Sequence, residues 1–305
     1  MSSTPITPRH AVHRGDEPSF VVPAEFEAHS LGFSRWALVD HDTPGAVHTG
    51  FGLASLESGG RIDPHVHSYE ESFFILEGDV VCVTPEAAVA LRPGDYGVVP
   101  IGIPHSWRNH GEIKARWADL LTPQPRPWFG GDTYFVAMPE TPVANPVDPR
   151  DPRTRSFGHI VNAYLVPRRQ THDMLAVSAS MRTALLVYSG ITVKMMVDSD
   201  LGGQLGTMFM VQYEPRGLAG AHDHPLEEAY LILEGEVDSV LDGVSYRLGP
   251  GDFGFCGVGA VHEFANPTNS TVRWLETQAP QPPGRHSYRF ARDWRYLTEA
   301  LEKER

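Results

Sequence analysis

Cysteine is scarce: Cys82 and Cys256 are the only two in 305 residues. Both sit in apolar, strand-like runs at non-equivalent places, so no disulfide framework is implied. They read as small buried hydrophobes in a protein of a reducing compartment. Long apolar runs are missing too. No stretch approaches the ~18 apolar residues of a membrane helix. The opening residues are polar and lack the apolar segment of a secretory leader. Positive charge is in deficit, with 25 Lys and Arg against 38 Asp and Glu and a net charge of −13. Nucleic acids and anionic membranes require clustered cations, so neither is expected as a partner. A soluble, cytoplasmic chain acting on a small molecule is the expectation.

Glycine and proline are plentiful, 29 and 26 residues, as a turn-rich all-β chain requires. Period-2 runs separated by turn signals predict a sandwich or barrel. Pro93-Gly94-Asp95 marks one turn, and Asp242-Gly243 predicts a type I′ hairpin turn. Size alone suggests two domains of about 150 residues. The proline-rich stretch 139–153 reads as a stiff, extended linker. The boundary falls there, giving domains 1–148 and 149–305. Residues 1 to about 20 read as an exposed arm carrying His10 and His13. Gly158 to Arg169 reads as either a strand or a short helix. Phe290, Trp294, Leu297 and Leu301 predict a short amphipathic C-terminal helix.

The chain is organised around Gly59 to Asn109. His65 and His67 are one residue apart on a strand and share a face, and Glu71 falls back on that face. His105, on a later strand, can close the set. Three imidazoles and one carboxylate suit a divalent transition metal: Mn, Fe, Ni, Cu or Zn. Four protein ligands leave one or two coordination positions open, as catalysis requires. The set recurs as His222, His224, Glu228 and His262, each offset by 157 residues. The duplication predicts two similar units with up to two metal ions per chain.

Two motifs carry a family resemblance. Gly59, His65, His67, Glu71 and Gly78 fill the pattern G-x5-H-x-H-x3-E-x6-G. Gly94, Pro100, Gly102, His105 and Asn109 fill G-x5-P-x-G-x2-H-x3-N. The chain resembles the cupins, and the repeat makes the resemblance one to the two-domain bicupins. It implies two tandem jelly-roll β-barrels holding metal through the eight residues above. The second copy departs at Gly257, where the family has proline, and at Arg216, where it has the leading glycine.

Similarity to bicupin quercetin dioxygenases rests on the three-His-one-Glu sets and on the run Pro104 to Arg108. It implies a metal-dependent oxidoreductase of the dioxygenase type acting on a small organic substrate. Similarity to the ureidoglycine aminohydrolases, which also carry glycine at the Gly257 position, implies a hydrolase as the alternative. A non-catalytic small-molecule-binding cupin is the third reading. A homo-oligomer is compatible with all three. Chemistry is expected first in the N-terminal barrel, where Pro100 and Pro104 stiffen the approach to His105; Gly257-Val-Gly259 is more permissive. Phe73 or Phe74, Tyr69, Tyr96 and Trp107 are candidate lining residues in the first barrel. Tyr230 or Leu231, Met208, Met210 and Phe264 are those of the second. Arg61, Arg116 and Arg273 are candidate carboxylate holders. Strand alternation turns Glu70 and Glu227 outward, toward solvent or a domain interface.

Overall fold

The computed structural model describes residues 8–139, 143–148, 150–166 and 189–282. Among these, every element is a strand or a short 3-10 turn. The expected helix after Arg289 lies outside the described residues.

The long strand Gly50–His67 runs between Ala115–Thr122 and His105–Arg108. Glu70–Glu77 and Asp95–Val99 extend the first side; Val80–Val83 and Ala88–Leu91 extend the other. The second half repeats the plan. Glu227–Glu234 lies between Phe253–Cys256 and Val272–Ala279, while His262–Ala265 joins Leu218–His222 to Val237–Leu241. These are two tandem all-β jelly rolls. At the hairpin Leu241–Val244, Asp242 and Gly243 have φ of 49° and 84°, as a type I′ turn demands.

Three apolar clusters divide the interior. Phe33, Leu56, Phe73, Trp107 and Trp117 fill the first barrel. Tyr213, Tyr230, Phe264 and Trp274 fill the second. Trp36, Phe51, Phe74 and Leu120 meet Met208, Met210, Phe253 and Leu275 between the barrels. Strands here bury both faces, so alternation sorts residues between barrel interior and interface. Phe73 points in, and Phe74 packs against the partner barrel. The same sorting corrects three expectations. Met208, Met210 and Tyr96 do not line a pocket; they pack at the barrel–barrel interface.

Glu70 and Glu227 lie at that interface, both buried. The Glu227 carboxylate accepts from the backbone N–H of Val47, His48 and Thr49, at 2.7, 3.0 and 2.8 Å. Glu70 accepts from Gln204, Leu205 and Gly206 across the quasi-twofold, at 2.8, 3.3 and 3.4 Å. Each barrel thus grips the loop entering the other through three main-chain donors.

The N-terminal arm is not an exposed tail. His10–His13 forms a strand antiparallel to Phe253–Cys256 of the second barrel. His10 is buried, its Nε2 2.8 Å from the Tyr246 hydroxyl. The exchange is reciprocal, because Phe157–His159 pairs with Asp95–Val99 of the first barrel. Asn162–Leu165 follows as a 3-10 turn. The arm also explains Gly257. Its N–H donates to Arg9 O at 2.7 Å, a bond proline cannot make. A Cβ there would lie 2.8 Å from Gly45 O. The glycine reflects a docked neighbour and not a loose loop. The linker is also tied down, since Ala144–Pro146 pairs in parallel with Ala88–Leu91.

Candidate metal centres

A bulge between Ile62 and His65 interrupts the pairing of Gly50–His67 with His105–Arg108 and sets His65 directly opposite His105. A matching irregularity between Ala219 and His222 sets His222 opposite His262. Bulges of this kind re-aim a side chain without breaking the sheet. On the other edge of the ligand strand, Thr133 pairs with His67 and Phe135 with His65, which roofs the first site.

The four side chains of the first set converge. One donor atom from each of His65, His67, Glu71 and His105 lies within 4.8 Å of the other three. All four residues are buried. His67 Nε2 and His105 Nε2 are each 3.2 Å from Glu71 Oε2. The Nδ1 atoms point the other way, to the carbonyls of Asp63, Tyr69 and Ile103, at 2.9, 2.6 and 3.0 Å. A carbonyl only accepts, so each Nδ1 carries hydrogen and a neutral ring presents its Nε2 lone pair inward. Burial holds His65 at about 3, and pushes His67 down against the pull of Glu71. Burial raises Glu71, but the neighbouring His105 and His67 outweigh that and hold it below the usual carboxylate range. Neutral lone pairs facing a carboxylate repel one another unless a cation lies between them. The donor set therefore fits a divalent transition metal.

The second set is close in geometry but differs around the carboxylate. His222, His224 and His262 bring their donor atoms within 4.8 Å of one another. Their Nδ1 atoms bond the carbonyls of Gly220, Leu226 and Ala260, at 2.7, 2.9 and 2.9 Å. Glu228 Oε2 is 3.0 Å from His224 Nε2 and 3.2 Å from His262 Nε2. Glu228 also accepts from the Tyr230 hydroxyl and Gln278 Nε2, both at 2.5 Å. Phe73 and Leu121 occupy those positions in the first barrel, so Glu71 has no such side-chain donors. Burial lowers His222 to about 3, whereas for His224 burial is outweighed by Glu228 and the value rises.

Acid sensitivity follows for the chelated protein. His65 and His222 stay neutral in the fold to about pH 3 and charge near 6.5 when unfolded. The unfolded state therefore binds more protons across that window, and stability falls as pH drops through it. Each group contributes at most about 1.4 kcal/mol per pH unit. The depressed Glu71 and Glu228 add loss at the acid end of the window, while His224 opposes the trend. Thermal unfolding of chelated protein at pH 7 and pH 5 should give the lower midpoint at pH 5. An equal or higher midpoint at pH 5 would contradict the buried neutral histidines.

A partly open pocket of about 110 Å³ adjoins the first set, walled by His65, Tyr69, Glu71, Phe26, Phe33, Trp107 and Trp117. Tyr69 stacks on His67 with ring centroids 3.9 Å apart. The three arginines singled out from sequence lie elsewhere. Arg61 pairs with Asp63, Arg116 with Glu77 and Arg273 with Glu234. Arg35 is the cation at the pocket. Its Nε lies 3.1 and 2.9 Å from the two carboxylate oxygens of Asp119, and its Nη2 2.5 Å from Oδ1. Burial works against its charge, and Asp119 more than restores it. The signal in the sequence is a lone arginine inside the apolar run Phe33 to Val39. Gly52 is its complement, since a Cβ there would lie 2.6 Å from the guanidinium carbon.

The profile of the family described as Cupin domain matches residues 52–121 and again 209–277. Polyketide synthase CurC of Streptomyces cyaneus is 33% identical over 108 residues, covering 34% of this chain and 70% of that protein. The crystal structure of a putative glyoxylate induced protein from Pseudomonas aeruginosa superposes with a TM-score of 0.61 at 15% identity, covering 96% of this chain and 94% of that one. The Lactobacillus farciminis oxalate decarboxylase formate complex gives 0.61 at 14% identity, with coverages of 99% and 92%. At such identities the two structures speak for the fold alone. Among the described residues no helix is long and apolar enough to cross a membrane. The duplicated motifs, the paired barrels and the profile matches agree: the chain belongs to the cupin family, as a bicupin.

Proposed function

We propose that this bicupin is a metal-dependent oxidoreductase of the dioxygenase type, acting on a small organic substrate in its N-terminal barrel. His65, His67, Glu71 and His105 hold the divalent transition metal there; His222, His224, Glu228 and His262 hold a second. The observation that carries the reading is the first site's convergence of inward Nε2 atoms on a buried carboxylate beside a small aromatic pocket. A bound transition metal supplies a Lewis acid, a redox centre and open positions for ligands. The chain supplies the rest. Asp63, Tyr69 and Ile103 carbonyls fix the imidazole tautomers, and Glu71 offsets the ion's charge. Tyr69, Phe26, Phe33, Trp107 and Trp117 exclude water from the reacting side.

Domain limits of 1–148 and 149–305 belong to this reading, with the arms His10–His13 and Phe157–His159 exchanged between the units. Free, buried Cys82 and Cys256 favour a reducing, cytoplasmic setting. Identity to a protein named polyketide synthase CurC favours, as the narrower form, a polyketide-derived substrate.

Protein purified without added metal is expected to carry iron, manganese, nickel or copper and to consume dioxygen with substrate. Ammonia release without dioxygen uptake would replace this reading with the aminohydrolase one. Ligand binding with no turnover under any metal would leave a binding protein.

A further inference from the structure

The two barrels are copies, so a residue that one needs and the other lacks is informative. Arg35 pairs across the sheet with Ala54, and Val193 pairs with Val211, the repeat partner of Ala54. Val193 therefore stands where Arg35 does, and the fold itself has no need of an arginine there. A buried ion pair is weak evidence for stability, since apolar residues of similar volume often serve as well. In the first barrel the arginine is kept, beside a pocket.

A second difference lies on the opposite wall. In the second barrel Trp274 Nε1 donates to Glu276 Oε2 at 2.8 Å. The counterparts are Trp117 and Asp119. Asp119 is one methylene shorter and is turned to Arg35, so Trp117 Nε1 is buried with no hydrogen-bond partner. Trp117 is 1% exposed and lines the same 110 Å³ pocket as Arg35. A buried N–H left unpaired is costly and calls for a missing acceptor. Asp119 occupies Nε and Nη2 of Arg35, and Nη1 stays outside that fork. Arg35 and Trp117 thus both line the pocket, one bringing an oriented guanidinium and the other an indole N–H that lacks an acceptor. Its volume is that of about four liquid waters.

We propose that the first-barrel pocket recognises a carboxylate group of the substrate, seated between the Arg35 guanidinium and the Trp117 indole N–H. Asp119 is the positioning residue that holds the guanidinium across Gly52. This deepens the proposed function by naming the substrate class, and it rests on that reading only for the neighbouring metal. The second barrel, with Val193 and a satisfied Trp274, has no such seat.

The test uses the full chain, metal-loaded and chelated, titrated by calorimetry with acetate, glycolate and pyruvate against acetamide and glycolamide. Carboxylates are expected to bind at least ~10-fold tighter than the amides, given the strength of charge-assisted hydrogen bonds. Arg35→Met should lower carboxylate affinity ~100-fold with metal content unchanged. That variant leaves Asp119 buried and unpaired, so Trp117→Phe serves as the second. It leaves the ion pair intact and should cost ~5-fold. Binding retained by chelated protein supports the seat even where the metal reading fails. Equal binding of amides, no binding by wild type in either state, or unchanged affinity in both variants would overturn the proposal.

Discussion

His105→Ala is expected to strip the first barrel of metal and abolish turnover, while His262→Ala strips the second and leaves turnover largely in place. The physical reason is the central position of His105. Its ring lies 4.2 Å from that of His65 and 4.8 Å from that of His67, and its Nε2 meets Glu71. It is fully buried, so water does not readily take its place as a ligand. Losing a mere outer-shell partner of a ligand costs 10–100-fold in metal affinity, so losing the ligand should cost more than ~100-fold. Metal analysis should fall from two ions per chain to one in either variant. Glu71→Gln is the gentler companion, because it keeps the shape and removes the charge. If His262→Ala alone ends turnover while the first barrel keeps its metal, the C-terminal barrel is the enzyme. If the unchanged chain never exceeds one ion under metal excess, one set does not bind.

Glu227→Ala should lower the unfolding free energy by ~3–5 kcal/mol, and Glu70→Ala should do so to a similar extent. Each truncation removes one carboxylate and leaves three main-chain N–H groups facing a hole at a buried interface. Hydrogen bonds to charged groups are worth about 1.5–3 kcal/mol, and orphaned buried donors add a desolvation cost. The two contacts do not share partners, so the double variant should be close to additive. Denaturant unfolding gives the numbers, and Glu227→Gln should recover part of the loss by restoring an acceptor. A cost under 1 kcal/mol for both single variants would mean that apolar packing alone joins the barrels. Both residues precede a proposed ligand in sequence, so metal content belongs beside each melt.

The two histidine clusters were legible because their meaning is local. His65 and His67 share a strand face whatever surrounds them, and the 157-residue repeat says the same thing twice, whereas Glu71 reaches the cluster from a separate strand, Glu70–Glu77, and not from that face. The barrel class followed from turn spacing. What stayed hidden depends on partners far away in the chain. Arg35 acquires its role from Asp119, 84 residues on, and from the missing side chain of Gly52. The arm His10–His13 reads as polar tail because the sheet edge that receives it is 240 residues away and in the other half. Glu70 and Glu227 were legible by half: alternation turned them outward, but only the quasi-twofold supplies the N–H groups they meet. Gly257 read as a loosened loop because its neighbours, Gly45 filling the space of a Cβ and Arg9 accepting its N–H, are invisible from the motif.

The exchanged arms also set an order of events at the ribosome. Phe157–His159 emerges soon after the sheet edge it completes, so the first barrel closes while the second is unmade. His10–His13 is made first, yet its partner strand ends at Cys256, 246 residues later. At about 5–20 residues per second, that arm waits roughly 12–50 s for its place. Through this interval the receiving edge does not exist, and the arm has only its first-half contacts, such as Trp36 beside His13. When the second barrel forms with its edge open, an arm from a neighbouring nascent chain competes with the chain's own, as in domain swapping. Crowded polysomes would then yield interlinked dimers. Slower translation past Phe253 would not relieve them, because the arm is already free.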